Sequence, residues 1–250
     1  MSTTSGNKKV AIVTGGSRGI GLAIVQEFAK HGYSVAYCHR GISVVAGGGD
    51  IKADFGTDVK EYICDISQEK QVLDFISKVV SDFGHIDVLV NNAGVAIDKE
   101  FDERTPEDFQ ETMNINVIGT WLMSRAVACE MLKQHRGKII NIVSTNGLDT
   151  VFPESIDYDA SKAAMINMTY NFAKQYAPHI KVNAVAPGWT NTEMNKNLPT
   201  DFLAAEQERI LLKRFAEPAE VARVVLFLAG PDADYITSTV IKVDGKLGNS

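Results

Sequence analysis

The stretch from Val10 to Gly21 constrains the fold more than any other. An apolar run, V-A-I-V-T, leads directly into the glycine-rich string T-G-G-S-R-G-I-G at 14–21, and helical periodicity starts within it. Glycine permits a tight turn. Its missing Cβ also lets the unpaired N–H groups of a helix start approach an anion such as a pyrophosphate. Strand, glycine turn and helix in this order open a parallel βα unit.

The same alternation continues along the chain. It predicts strands at Val10–Thr14, Ser34–Cys38, Val59–Cys64, Asp87–Asn91, Lys138–Ser144, Lys181–Ala186 and Val240–Val243. Helices are expected at about Gly19–His31, Gln68–Phe83, Pro106–Gln134, Tyr158–Tyr176 and Pro218–Ala229. The strand candidates are continuous apolar runs, as expected where helices cover both faces of a sheet. The expected architecture is α/β: a single-domain, Rossmann-type, doubly wound parallel sheet of about seven strands with helices on both faces. Residues 1–8 are expected to be a flexible tail and 9–250 the domain. Residues 41–56 contain Gly47-Gly48-Gly49 where a crossover helix should lie. Each glycine costs about 1 kcal/mol of helix propensity, so a loop or a shortened helix is expected there. Residues 189–215 are polar, follow a strand and contain Pro199, the character of a substrate lid.

Composition narrows the function classes. With 25 Lys and Arg against 31 Asp and Glu, the 250-residue chain has a net charge of −6. Bulk attraction to nucleic acid or to an anionic membrane is therefore not expected. No run reaches the ~18 apolar residues of a membrane span, and Met1–Lys9 lacks the apolar core of a secretory signal. A cytoplasmic protein is expected. Cys38, Cys64 and Cys129 form no C-x-x-C pair and read as small buried hydrophobes in a reduced compartment. His31, His39, His85, His135 and His179 lack metal-ligand spacing and read as surface or loop residues, so no catalytic metal is expected.

A second string, Y-D-A-S-K at 158–162, carries chemistry of another kind. Tyr158 and Lys162 lie four residues apart and share one helix face. An ammonium beside a phenol favours phenolate and is expected to draw the pKa down from about 10, toward the range where proton transfer is efficient. The end of the second strand reads A-Y-C-H-R-G, with His39 and Arg40 and no carboxylate. A carboxylate there would bind a ribose 2′-hydroxyl, whereas guanidinium groups such as Arg40 and Arg18 favour a 2′-phosphate. NADP(H) is the expected cofactor.

T-G-x-x-x-G-x-G at the first turn, N-N-A-G at Asn91–Gly94, Y-x-x-x-K at 158–162 and P-G at 187–188 occur in that order. In this the chain resembles the short-chain dehydrogenase/reductase family, from Lys9 to about Gly245. The resemblance implies that Gly15, Ser17, Arg18, Gly19, Ile20 and Gly21 cradle the cofactor phosphates. It implies that Asp65 holds the adenine amino group, with Ile66 beside it as a further cofactor-binding candidate, and that Asn91, Ala93 and Gly94 support the cofactor. Pro187 and Gly188 would flank the nicotinamide, Thr192 would bind its carboxamide, and Thr190 is a further cofactor-binding candidate. Asp65 also reads as a turn or cap residue, and Thr192 as a helix cap. The implied catalytic set is Asn116, Ser144, Tyr158 and Lys162, with Lys162 also gripping the nicotinamide ribose. Thr145 is a second hydroxyl at nearly the same spacing as Ser144, and Asn114 a second asparagine near Asn116.

Within the family, the stretch E-R-I-L-L-K-R-F-A-E-P-A-E-V-A and the later V-D-G are similar to 3-oxoacyl-acyl-carrier-protein reductases. The implied activity is NADPH-dependent reduction of a carbonyl, a 3-oxoacyl thioester first. A reductase of a small ketone, sugar or polyol is the alternative, and a non-catalytic NADPH-binding regulator a third. Lys133 and Arg136 near His135 and His179 are candidates for meeting an acidic carrier, or simply a charged helix end. The resemblance also implies a homotetramer packed through the helices at 106–134 and 158–176, whose apolar residues include Met113, Leu122, Val127, Met165, Met168 and Phe172. Lys246 stands where the family commonly has a second glycine after V-D-G.

Overall fold

The computed structural model describes residues 8–41, 56–97, 99–195 and 198–246. Residues 1–7 of the expected tail and nearly all of the glycine-rich segment at 41–56 lie outside the described residues. Among the described residues, seven strands form one all-parallel sheet: β1 (Val10–Thr14), β2 (Ser34–His39), β3 (Val59–Ile63), β4 (Val88–Asn91), β5 (Gly137–Ile142), β6 (Ile180–Pro187) and β7 (Val240–Val243). Their order is β3-β2-β1-β4-β5-β6-β7. The helices are α1 (Gly19–Lys30), α2 (Glu69–Phe83), α3 (Pro106–Met113), α4 (Thr120–Lys133), α5 (Ile156–Tyr176), α6 (Thr200–Arg209) and α7 (Pro218–Ala229).

Two apolar layers sandwich the sheet. On one face Val72, Phe75 and Ile76 of α2, Met123, Val127 and Met131 of α4 and Phe172 of α5 pack against Ile12, Leu89 and Ile139. On the other, Ile24, Val25 and Phe28 of α1 and Val221, Val225 and Leu228 of α7 cover Val13, Val90 and Ile140. Each large side chain buried in full contributes about 1.5–3 kcal/mol. The edge strand β3 departs from the expected apolar run: Lys60, Glu61 and Ile63 are exposed there. Charged side chains on an edge discourage pairing with another chain.

The helix expected over 106–134 is not continuous. Thr105 opens α3 with a capping box to Asp108, and Pro106 occupies the first turn. Residues Asn114–Gly119 then form a π-helical stretch before α4 resumes. Such a bulge re-aims side chains and is frequent at functional sites. Here it coincides with Asn116, which is fully buried. At its end, a Cβ on Gly119 would come within 2.7 Å of Ile66, so glycine allows the helix to settle onto the segment after β3. The segment expected to be a polar lid carries a helix of its own, α6.

The apolar residues assigned to subunit packing need correction. Leu122, Val127, Met165 and Phe172 are buried within this chain. The exposed large apolar side chains of that region are instead Phe109, Ile118, Trp121, Leu132, Ile156 and Tyr170. Cys129 is exposed as well, against expectation, whereas Cys38 and Cys64 are buried.

β1 and β4 are neighbours from which the chain departs in opposite directions across the sheet. In doubly wound sheets ligands bind outside the strand carboxyl ends at this switch point. The glycine turn follows β1 and Asn91–Gly94 closes β4, so the fold brings both motifs to that crevice.

Candidate active site

The glycine turn is built from backbone contacts no other residue would allow. Gly15 has φ +65°, and a Cβ there would meet Ala93 Cα at 2.9 Å. A Cβ on Gly21 would stand 2.1 Å from the Gly15 carbonyl oxygen. Asn92, not singled out from the sequence, holds the turn: its side-chain amide donates to the Thr14 and Gly15 carbonyls at 3.0 and 3.1 Å. The Thr14 hydroxyl accepts the N–H groups of Asn92 and Ala93, both at 3.0 Å. The only hint of this was the doubled Asn of N-N-A-G. Helix α1 then starts after Arg18, which is exposed, with no side-chain cap and no acidic residue in the first turn. Its first N–H groups are thus available to an anion. Ser17 is buried, Ile20 packs against the core, and the Thr192 methyl lies 3.5 Å from where a Cβ on Gly19 would be.

Farther along the crevice, Arg40, Asp65, Glu107 and Glu111 line a cavity of about 520 Å³. Arg40 faces Glu111 at 3.7 Å. His39 is not a surface residue as expected. It is buried, its Nε2 lies 2.6 Å from Glu61 Oε1, and its Nδ1 accepts the Gly41 N–H at 3.1 Å. Both ring nitrogens are therefore occupied, which leaves the guanidinium groups of Arg18 and Arg40 as the candidates for a phosphate. Glu61 escaped notice because it reaches His39 from the neighbouring strand. Asp65 accepts the Ser67 N–H and hydroxyl at 3.0 and 2.8 Å, the turn role that the sequence also allowed.

Other expected cofactor residues are structural in their side chains. The Asn91 amide donates to Ser124 Oγ and Asn141 Oδ1, each at 2.8 Å, beneath the sheet. Ile66 is buried. Pro187 ends β6, and a Cβ on Gly188 would meet Asp244 at 2.9 Å. Thr190 is buried and donates to the Gly188 carbonyl at 3.1 Å. Ala93 and Gly94 turn past the buried pair of Asn116 and Lys162: a Cβ on Gly94 would be 3.2 Å from Asn116 Oδ1 and 3.5 Å from Lys162 Nζ.

The four expected catalytic side chains share one locus. Asn116 clamps the chain after β4, accepting the Val95 N–H at 2.9 Å and donating to the Val95 carbonyl at 3.0 Å. Its amide also donates to Ser161 Oγ at 2.9 Å, which ties the π-helical turn to α5. Asn114, by contrast, is exposed and accepts from Gln110. Lys162 is buried and donates to the Ile142 carbonyl at 3.0 Å. It lies 5.3 Å from the Tyr158 ring centroid. Ser144 lies against the phenol, where its hydroxyl favours ionisation. Thr145 is buried, and its carbonyl accepts three N–H groups of the following turn, from Leu148, Asp149 and Thr150.

The expected acidification of Tyr158 by Lys162 does not occur in this structure. Burial dominates and, with the nearby Asp159 charge, pushes the phenol up to about 12 despite Ser144. Burial also draws Lys162 down to about 8. The lysine therefore still carries its charge at neutral pH, but it is directed at a backbone carbonyl rather than at the phenol.

These residues fit a dinucleotide. An uncapped helix start supplies N–H groups for phosphates, and a buried ammonium lacks a carboxylate partner among the described residues. A crevice of this kind, with a phenol and an ammonium at one end and a glycine turn at the other, defines a dinucleotide-dependent oxidoreductase. The family described as enoyl-(acyl carrier protein) reductase matches residues 15–246. The chain belongs to the short-chain dehydrogenase/reductase family. It is 38% identical to the 3-oxoacyl-[acyl-carrier-protein] reductase FabG of Thermotoga maritima, over 96% of this chain and 97% of that one. It is also 38% identical to the acetoacetyl-CoA reductase of Shinella zoogloeoides, over 95% and 97% of the two chains. A solved double mutant of a Serratia marcescens short-chain dehydrogenase/reductase superposes with a TM-score of 0.88 at 32% identity, covering 96% of this chain and 98% of that one. The protein is thus an NADP-dependent oxidoreductase that works between a carbonyl and a hydroxyl group.

Among the described residues, no helix is long and apolar enough to cross a membrane, and no group of three or more His, Cys, Asp or Glu is placed to hold a metal ion.

Proposed function

We propose that the protein reduces a 3-oxoacyl thioester to the 3-hydroxyacyl thioester, with Tyr158 as proton donor. One observation supports this reading above the rest: Ser144 and Tyr158 lie together beside a buried ammonium, Lys162, at the carboxyl end of β5. When bound, NADPH supplies the hydride. Gly15, Ser17, Arg18, Gly19, Ile20 and Gly21 hold its phosphates, Arg40 and Arg18 its 2′-phosphate, and Lys162 its nicotinamide ribose. When substrate binds, the Ser144 hydroxyl turns from Asn146 Oδ1 to donate to the substrate carbonyl oxygen, and it steadies the negative charge that develops there. Tyr158 gives that oxygen its proton. An alkoxide is a far stronger base than a phenolate, so a phenol near 12 still transfers its proton downhill. The Lys162 ammonium, 5.3 Å from the centroid of the Tyr158 ring, stabilises the phenolate left behind through its charge rather than through a hydrogen bond. Asn116 keeps the loop after β4 against α5 so that Lys162 stays in place.

The segment at 189–215 acts as the substrate lid. Trp189 stacks on Phe215 and meets Phe202 of α6 and Phe152 edge-on, which joins the lid to the loop after Ser144. The thioester carrier is an acyl carrier protein or coenzyme A. The His135 and His179 rings do come together, with centroids 4.9 Å apart, but Lys133 and Arg136 are paired with Glu130 and Asp87. The reading includes a cytoplasmic homotetramer in fatty acid biosynthesis, with Trp121 and Tyr170 among the exposed apolar groups to be covered.

NADPH consumption tests the reading when measured with acetoacetyl-CoA, an acetoacetyl carrier protein, diketones and ketoses. Turnover of the thioesters is expected to exceed the rest. Turnover confined to diketones or ketoses points to a small-carbonyl reductase, and NADPH binding with no turnover to a regulator.

A further inference from the structure

Resting on the assignment of Tyr158 above, we propose that Asp159 is a positioning residue for the reaction: its carboxylate fixes the loop that carries Ser144 and places a negative charge beside the phenol. Asp159 Oδ1 accepts from Asn146 Nδ2 at 2.7 Å and from the Ser155 hydroxyl at 2.9 Å. Oδ2 accepts the Phe152 N–H at 3.0 Å. All three donors belong to the connection between β5 and α5. Asn146 passes the constraint on, since its Oδ1 accepts from the Ser144 hydroxyl at 3.2 Å and its N–H donates to Ser144 Oγ at 3.2 Å. A relay from Asp159 through Asn146 thus orients the hydroxyl that meets Tyr158. Charge-assisted bonds of this kind are the stronger sort, and a loop exposed at Leu148 and Val151 has little apolar packing to replace them.

The surroundings make Asp159 the carboxylate that acts on the phenol. On the same helix, Asp157 is held by Arg104 at 2.7 Å and by the Thr112 hydroxyl of α3 at 2.5 Å. Lys162 is bonded to the Ile142 carbonyl. From the loop, Asp149 pairs with Lys242 at 2.5 Å and Glu154 is exposed. The end of β5 and the π-helical turn contribute the neutral Ser144 and Asn116. The negative charge of Asp159 opposes ionisation of Tyr158, so in the alcohol-oxidising direction, which needs phenolate, removing it eases the first step.

The test measures both directions on the full-length enzyme, with NADPH and acetoacetyl-CoA and with NADP and 3-hydroxybutyryl-CoA. Asp159→Asn is expected to lower kcat for reduction by roughly tenfold to a hundredfold, as a misplaced catalytic group does. NADPH binding should stay near wild type, and the rise of the oxidation rate with pH should move to lower pH. Asn146→Ala keeps the carboxylate, so kcat should fall while the pH profile stays in place. Wild-type kcat in Asp159→Asn overturns the proposal, and so does a loss of kcat there with an unmoved profile. Should Asp159→Asn not fold, Asn146→Ala decides: reduced kcat with the profile in place supports the relay, and wild-type kcat overturns it. Tyr158→Phe separates the two claims. If that variant keeps turning over, the functional reading fails. If it is inactive while Asp159→Asn behaves as wild type, the relay alone fails.

Discussion

The Lys162 ammonium stands 5.3 Å from the centroid of the Tyr158 ring and gives its hydrogen bond to the Ile142 carbonyl at 3.0 Å. Burial therefore acts on it uncompensated and lowers its pKa from 10.5 to about 8. Between these two values the folded protein has shed a proton that the unfolded chain still binds, so stability rises with pH across the window. The penalty is present in full below about 8. Lys162→Met is expected to abolish turnover yet raise the melting temperature at neutral pH. The gain reaches at most about 3 kcal/mol, less what the stranded carbonyl loses, and it shrinks as pH approaches 10.5. Thermal unfolding at neutral and alkaline pH checks this; a melting temperature lowered equally at both contradicts it.

Arg104 and Asp157 form a buried pair at 2.7 Å, and the same guanidinium donates to the carbonyls of Ile97, Lys99 and Glu154. One side chain thus binds the chain after β4 to the base of the helix that carries Tyr158. Removing one partner of a buried pair leaves the other charge exposed to a low-dielectric interior, at a cost of about 3–5 kcal/mol. Arg104→Met should lose that much in denaturant unfolding, and Arg104→Met with Asp157→Asn should recover part of it. Additive losses in the double variant contradict the pairing.

Much of this was legible beforehand because it is local. The glycine turn, the alternation of strands and helices and the i, i+4 placement of Tyr158 and Lys162 follow from short strings whose geometry is dictated by neighbours in sequence. What escaped depends on contacts between distant segments. Glu61 approaches His39 from the adjacent strand, Asn92 reaches back to Gly15, and Asp159 gathers donors from a loop. The π-helical turn at Asn114–Gly119 has no periodicity that sets it apart from α-helix. The phenol's acidity departs from the expectation because sequence shows the neighbouring charge but not the depth of burial.

Lys246 has φ +59°, directly after Gly245 at the same φ. A left-handed backbone costs a non-glycine residue roughly 1 kcal/mol or more. The position where the family commonly has glycine is thus strained here by lysine. Lys246→Gly should raise stability by about 1 kcal/mol, or about 2–4 °C in a chain of this size. Calorimetry checks it, and an unchanged or lowered melting temperature contradicts it.

The proton donor is tested most directly by Tyr158→Phe, which deletes one hydroxyl from a half-buried ring. NADPH affinity, followed by fluorescence titration, should stay within about threefold of the wild type, while kcat for acetoacetyl-CoA falls by roughly 10²–10⁴, the worth of a positioned general acid. A Tyr158→Phe enzyme that binds NADPH normally and turns over within a few-fold of the wild type contradicts the account.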